Sequence, residues 1–133
     1  MEFSISTKKR NELVDITDEV RNIVSKGGTK EGIVNVYVPH ATAAVCINEN
    51  ADPNIQDDIL DALSKLIKQG GWRHDRIDGN ADSHIKAAIV GPSETVPVKD
   101  GQLQLGTWQA IMFCEFDGPR SSRRIVVSII KND

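Results

Sequence analysis

The chain has 133 residues, 39% of them hydrophobic and 26% charged, with a formal net charge of −3. That length fits one domain, residues 1–133, able to bury a core without disulfides or a metal. The slight acidity excludes a broadly basic nucleic-acid-binding surface, and no window approaches the roughly 18 apolar residues a membrane helix requires.

Phe3 and Ile5 alternate with polar residues and predict a first strand, and residues 13–16 predict a second. Thr17 reads as the N-cap of a short helix with Asp18 and Glu19 in its first turn; Val20, Ile23 and Val24 form its apolar stripe and Gly27 and Gly28 stop it. Residues 32–38 are rich in β-branched side chains and predict a strand. After a break at Pro39, residues 40–47 predict another. Asp52 and Pro53 open a helix expected to run to about Gln69, with Ile55, Ile59, Leu60, Leu63, Leu66 and Ile67 on one face and Gly70 and Gly71 at its end.

Residues 72–79 read as an irregular loop, and Asp82 reads as the cap of a short helix through Ile89, broken at Gly91 and Pro92. Residues 95–98 are strand-like, with Pro97 suiting an edge position. Asp100 and Gly101 signal a hairpin turn, followed by Leu103 and Leu105. Residues 107–116 predict a long strand, Asp117, Gly118 and Pro119 a turn, and residues 125–130 a final strand. Strands outnumber helices and most joins are hairpins, which predicts an α+β fold with largely antiparallel sheets and two to three helices. The long strand is apolar on both faces apart from Gln109, so it must be covered twice, and a second subunit is one candidate cover.

Cys46 and Cys114 lie in apolar, strand-like runs and read as small buried thiols. The chain starts without a basic stretch followed by an apolar one, so a cytosolic, reducing location is expected.

Only three histidines occur, His40, His74 and His84. His84 follows Asp82 by two residues at a helix start, where free backbone N–H groups favour anions. Asn80 and Lys86 flank it; the plainer reading is a capping Asp82 and a solvated His84. His40, Thr42, Ala44 and Cys46 would share one strand face, with Cys46 about 20 Å from His40 and out of reach of a common metal. There is no CxxC pair and no HExxH. Three histidines match the ligand count of a catalytic zinc, but spacing alone does not bring them together. Cap chemistry accounts for Asp52 and Pro53, which leaves Glu49 and Asn50 as candidate functional residues. Glu115 ends an apolar strand and needs a partner, Arg120, Arg123, a histidine or a cation. Arg120, Ser121, Ser122, Arg123 and Arg124 suit either a solvated hairpin tip or phosphate recognition. The absence of a Walker loop, GxGxxG or GxSxG leaves P-loop and serine-triad chemistry without support.

Taken together, residues 40–44, 48–53, 72–74, 79–86, 93–111 and 114–120 resemble the YjbQ family; the sharpest part is 93–111, where Gly106, Thr107, Trp108 and Gln109 close a signature-like block. The resemblance spans nearly the whole chain. It implies a β-sandwich-like α+β fold that assembles as a homotrimer through packed sheets. It also implies secondary thiamine-phosphate synthase activity, as a side activity rather than the main role. That reaction joins a hydroxymethylpyrimidine diphosphate to a thiazole phosphate and releases diphosphate. On this reading His84, Asp82 and Glu49 are the catalytic candidates. Asn50, Arg73, Asn80, Glu115 and Arg120 are candidates for binding a small phosphorylated substrate. His40, His74 and His84 are candidates for holding a divalent metal, zinc or magnesium. The alternative is a trimeric, non-catalytic binding module for a metal or a small anionic metabolite.

Overall fold

The computed structural model describes residues 1–132. Its strands are Glu2–Ile5 (β1), Glu12–Asp15 (β2), Gly32–Tyr37 (β3), Ala43–Glu49 (β4), Ser93–Lys99 (β5), Gln102–Leu103 (β6), Gln109–Glu115 (β7) and Arg123–Lys131 (β8); its helices are Thr17–Lys26 (α1), Pro53–Leu66 (α2) and Ala81–Val90 (α3). The strands pair antiparallel in two sheets, one of order β1-β8-β3-β5-β6 and one of order β2-β7-β4. This is the α+β architecture expected from the hairpin-rich pattern.

Strand alternation decides which side chains meet. Val34, Val36, Val96, Val98, Ile125 and Val127 of the larger sheet face Val45, Ile111 and Phe113 of the smaller one, and Val20, Ile23 and Val24 of α1 join the same core. The opposite face of the smaller sheet carries Ala44, Met112 and Cys114, roofed by Ile59, Leu60 and Leu63 of α2 and by Ala87 and Val90 of α3. β7 is therefore covered on both faces, as its doubly apolar sequence requires. Both covers come from this chain rather than from a second subunit.

The hairpin at Asp100 and Gly101 forms with φ of 52° and 76°, the left-handed pair that a tight β-turn demands. Pro97 sits where β5 has lost its second neighbour, since β6 pairs only with Val98 and Lys99.

Several local expectations are corrected. Thr17 is the first residue of α1 and not its cap. The capping acceptor is Asp15 Oδ1, 2.9 Å from the Thr17 N–H, and the Thr17 hydroxyl accepts from the Ile111 N–H of β7 at 2.9 Å. α2 starts as predicted, with Asp52 accepting from the Asn54 N–H at 2.9 Å, but it stops at Leu66. There Ile67 turns to extended backbone and buries its side chain (6% exposed) while Leu66 stays 80% exposed. β4 begins at Ala43, so His40 lies on the preceding loop and not on a strand face. Thr107 and Trp108 form a turn closed by the Gly106 N–H to Gln109 Oε1 (2.8 Å), so β7 starts two residues late.

Candidate functional site

Gly70 and Gly71, both at positive φ, carry the chain out of α2 into residues 72–79. The expected irregular loop contains a 3₁₀ turn, Arg73–Arg76. One carboxylate organises it: Asp75 accepts from the Trp72 N–H and from the Ala81 N–H, both at 3.0 Å. The second bond satisfies a free donor at the start of α3 and pins the 3₁₀ turn against the helix. These two backbone donors hold the Asp75 carboxyl below its ordinary value.

This pinning brings His74 to His84, ring centroids 4.7 Å apart and edge to face. Trp72, Arg73, His74, Ala81, His84 and Ile85 line an open groove of about 510 Å³. Arg73 is exposed there and forms no ion pair among the described residues. His74 Nε2 is screened from solvent, 3.4 Å from Asp78, with no hydrogen-bond partner. His84 also borders a smaller hollow of about 330 Å³, shared with His40 and the small residues Ala41, Ala43, Ala87, Ala88 and Pro92. The three histidines thus follow one another along the start of α3.

They do not converge on one point. His40 Nε2 accepts the Arg124 N–H at 2.9 Å, so in the neutral ring the proton sits on Nδ1. Burial, and then the Arg123 charge, push His40 below its ordinary value and favour that neutral form. Binding a metal through Nε2 would release the Arg124 N–H. Among the described residues no three His, Cys, Asp or Glu side chains are grouped closely enough to hold a metal ion.

Beneath the groove lies a chain of charges. Asp82 is 2% exposed and is not a cap: it accepts from Arg10 Nη2 at 3.0 Å and faces Lys86 Nζ at 3.8 Å. Arg10 reaches on to Asp117 at 3.7 Å, and Asp117 takes Arg120 at 3.0 Å and the Asn80 amide at 2.9 Å. Burial lowers the Lys86 ammonium from its ordinary value, partly offset by Asp82. Asp82, Asn80 and Arg120, singled out separately in the sequence, are therefore one cluster. Arg10 and Asp117 belong to it, Asp75 holds the adjoining 3₁₀ turn, and the sequence pattern marks none of the three as functional. The basic run Lys8, Lys9, Arg10 has no local feature that separates Arg10 from its neighbours.

Glu115 is fully buried. Its Oε1 accepts from Arg123 Nε at 2.9 Å and from the Thr7 hydroxyl at 2.7 Å, and its Oε2 accepts from Arg123 Nη2 and the Asp117 N–H. Burial raises its carboxyl, but these donors outweigh it and hold the group below its ordinary value. With every oxygen engaged, Glu115 fixes the turn carrying Asp117 and Arg120 instead of facing the groove. Gly118 belongs to the same strap; a Cβ there would lie 2.1 Å from the Lys9 carbonyl oxygen.

Glu49 and Asn50 are not brought to this cluster. They stand at the far end of β4, roughly 20 Å from Ala43 at ~3.3 Å per residue. Glu49 lies opposite Gln109, next to the exposed Trp108. The Asn50 amide donates to Asp15 Oδ2 at 2.6 Å, and its carbonyl accepts from Gln56.

A two-sheet α+β protein with a histidine-lined groove beside a chain of ion pairs anchored on the buried Asp82 is what fold and site define. The family model described as UPF0047 protein YjbQ-like matches residues 1–132, and the chain belongs to that family. A UPF0047 protein of Methanocaldococcus jannaschii is 50% identical over 128 residues, covering 96% of this chain and 91% of that one. The UPF0047 protein YugU of Bacillus subtilis is 44% identical over 122 residues, covering 90% of each. Among solved structures, a YbjQ-like protein of unknown function from Sulfolobus solfataricus superposes with a TM-score of 0.96 at 41% identity, covering 99% of this chain and 96% of that one. The conserved hypothetical protein TT1486 of Thermus thermophilus gives 0.88 at 30% identity, covering 98% and 99%.

Proposed function

We propose that the groove at the start of α3 binds a small phosphorylated heteroaromatic molecule and that His84, backed by His74, moves a proton during group transfer on it. The observation that carries this reading is the meeting of an imidazole pair, an ion-pair-free Arg73 and the Trp72 ring in one open groove. Imidazoles titrate in the range useful for acid–base work. A free guanidinium forks onto phosphate oxygens, and an indole offers a flat apolar face to a ring.

The thiamine-phosphate synthase reaction suits these groups. A thiazole nitrogen forms a C–N bond to the pyrimidine methylene as the C–O bond to diphosphate breaks; the nitrogen has no proton to lose, so the proton that His84 moves goes to the departing diphosphate oxygen. Arg73 would take up the charge gathering on the departing diphosphate, with Arg120 at the neighbouring turn. Asp82 acts at one remove, holding Arg10 and Lys86 beneath the groove. Glu49 and Asn50 would reach this groove only from a second copy of the chain. A divalent ion would find two nitrogen ligands in His74 and His84, a pair better suited to zinc than to magnesium; metal analysis of the purified protein tests that point directly.

The deciding assay supplies both precursors, with and without added divalent metal, and follows thiamine phosphate and diphosphate by phosphorus NMR. Turnover should fall by about 10²–10⁴-fold in a folded His84→Ala variant, the usual loss for a general acid or base. Unchanged turnover would remove His84 from the site. A second reading, the non-catalytic binding module, is favoured by two features: Asp82 is engaged by two cations, and Glu49 is distant. It predicts saturable binding of the phosphorylated precursors that His84→Ala abolishes, with no turnover in the parent protein.

A further inference from the structure

Cys46 and Cys114 read as two separate buried thiols, but the fold makes them a pair. In the antiparallel register Ala44 lies opposite Cys114 and Cys46 opposite Met112, so the cysteines are diagonal neighbours on β4 and β7. Their Sγ atoms are 3.5 Å apart, in direct contact. Their surroundings differ. Cys114 is 1% exposed, whereas Cys46 is half-buried at the margin of the α2–α3 layer. The Cys114 S–H donates to the Cys46 sulfur, which draws the Cys46 thiol below its ordinary value. The same contact, together with burial, pushes Cys114 well up. A less buried, more acidic thiol in contact with a buried second thiol is the arrangement that peroxide-sensitive cysteines use. Neither thiol belongs to the proposed groove, so the pair stands or falls independently of it.

We infer that Cys46 and Cys114 form an oxidisable dithiol, a modification site for small hydroperoxides, with Cys46 as the attacking sulfur and Cys114 as the resolving one. The Cys46 thiolate attacks one peroxide oxygen and the O–O bond breaks. The departing oxygen takes up a proton as water (or an alcohol), leaving a sulfenic acid on Cys46. The Cys114 sulfur then attacks Cys46 Sγ, the S–O bond breaks, and the hydroxide leaves as a second water with the Cys114 proton. The two sulfurs lose two electrons in total and the peroxide gains them. Bond formation asks the sulfurs to close from 3.5 Å to about 2.05 Å.

The test uses the full-length reduced protein. It is treated with hydrogen peroxide under native conditions, then alkylated in denaturant and weighed. The expected product has lost the mass of two hydrogens, carries no alkylated cysteine, yields one peptide pair joining Cys46 to Cys114, and regains both alkylations after dithiothreitol. Two alkylated thiols after peroxide, or a bond between chains in place of the internal one, would overturn the proposal. Dimedone trapping assigns the roles. Cys114→Ser should accumulate a trapped sulfenic acid on Cys46, and Cys46→Ser should give none on Cys114. Equal labelling of the two variants would overturn the assignment. If circular dichroism shows either variant unfolded, the mass measurement on the unaltered protein decides alone.

Discussion

At the scale of single residues, the most consequential group is a carboxylate that never meets the groove. Glu115 is buried at 0% exposure and bound by Arg123, Thr7 and the Asp117 N–H. Removing its charge leaves the Arg123 guanidinium, itself only 5% exposed, without compensation. Glu115→Gln is therefore expected to cost about 3–5 kcal/mol, measured by urea unfolding at neutral pH. The pH dependence has a definite sign. A carboxyl held below its ordinary value contributes stability that is present above that value, 4.5, and is lost as pH falls through the folded one. Acid unfolding of the parent protein should thus steepen below about pH 4.5, and the Gln variant should lose that added slope. Half of this is legible in the sequence. A carboxylate ending an apolar strand demands a partner, and Arg123 was among the four candidates. Arg10 was out of reach, because its partner Asp82 lies 72 positions away and nothing local marks the pair.

At the scale of elements, caps separate what is local from what is not. Asp52 caps α2 from two residues away, a contact that sequence spacing encodes directly. Asp52→Ala is expected to destabilise the protein by about 1 kcal/mol, read as a lower urea midpoint with the unfolding slope unchanged. Asp82 offered the same local signal at α3 and did something else. The Ala81 N–H had already found Asp75 across the 3₁₀ turn, and the buried Lys86 and the partly exposed Arg10 claimed the Asp82 carboxylate. A short polar side chain near a helix start fits a cap and a buried ion pair equally well until its neighbours are known. The same lesson applies to residues 107–108. Their apolar character suited a strand, but Gln109 folded back on Gly106 and left Trp108 66% exposed.

At the scale of the whole molecule, one large surface lacks a cover within the chain. The outer face of the five-stranded sheet presents Ile33, Tyr37 and Ile130, between 39% and 63% exposed, beside Pro97 and Val126 in the register. The trimer implied by the family resemblance would bury this face through packed sheets. Light scattering at micromolar concentration should then report three copies, and Ile33→Lys with Ile130→Lys should shift the protein toward single chains while circular dichroism stays unchanged. A parent protein that already runs as a monomer would remove this assembly, and with it the route by which Glu49 and Asn50 could reach a groove. No helix of the described residues is long and apolar enough to cross a membrane.

The order of strands and helices, the hairpin at Asp100, the start of α2 and the double burial of β7 were determined by the sequence itself. Each depends on periodicity or on contacts a few residues apart, where the backbone leaves few choices. The tertiary structure alone decided that α2 and α3 roof the smaller sheet, that Arg10, Asp82, Asp117 and Arg120 form one chain of charges, and that His74 meets His84 while Glu49 stands apart. Those outcomes depend on which distant side chains share a layer. That is fixed by how the whole apolar surface closes, and a linear pattern of residues does not contain it.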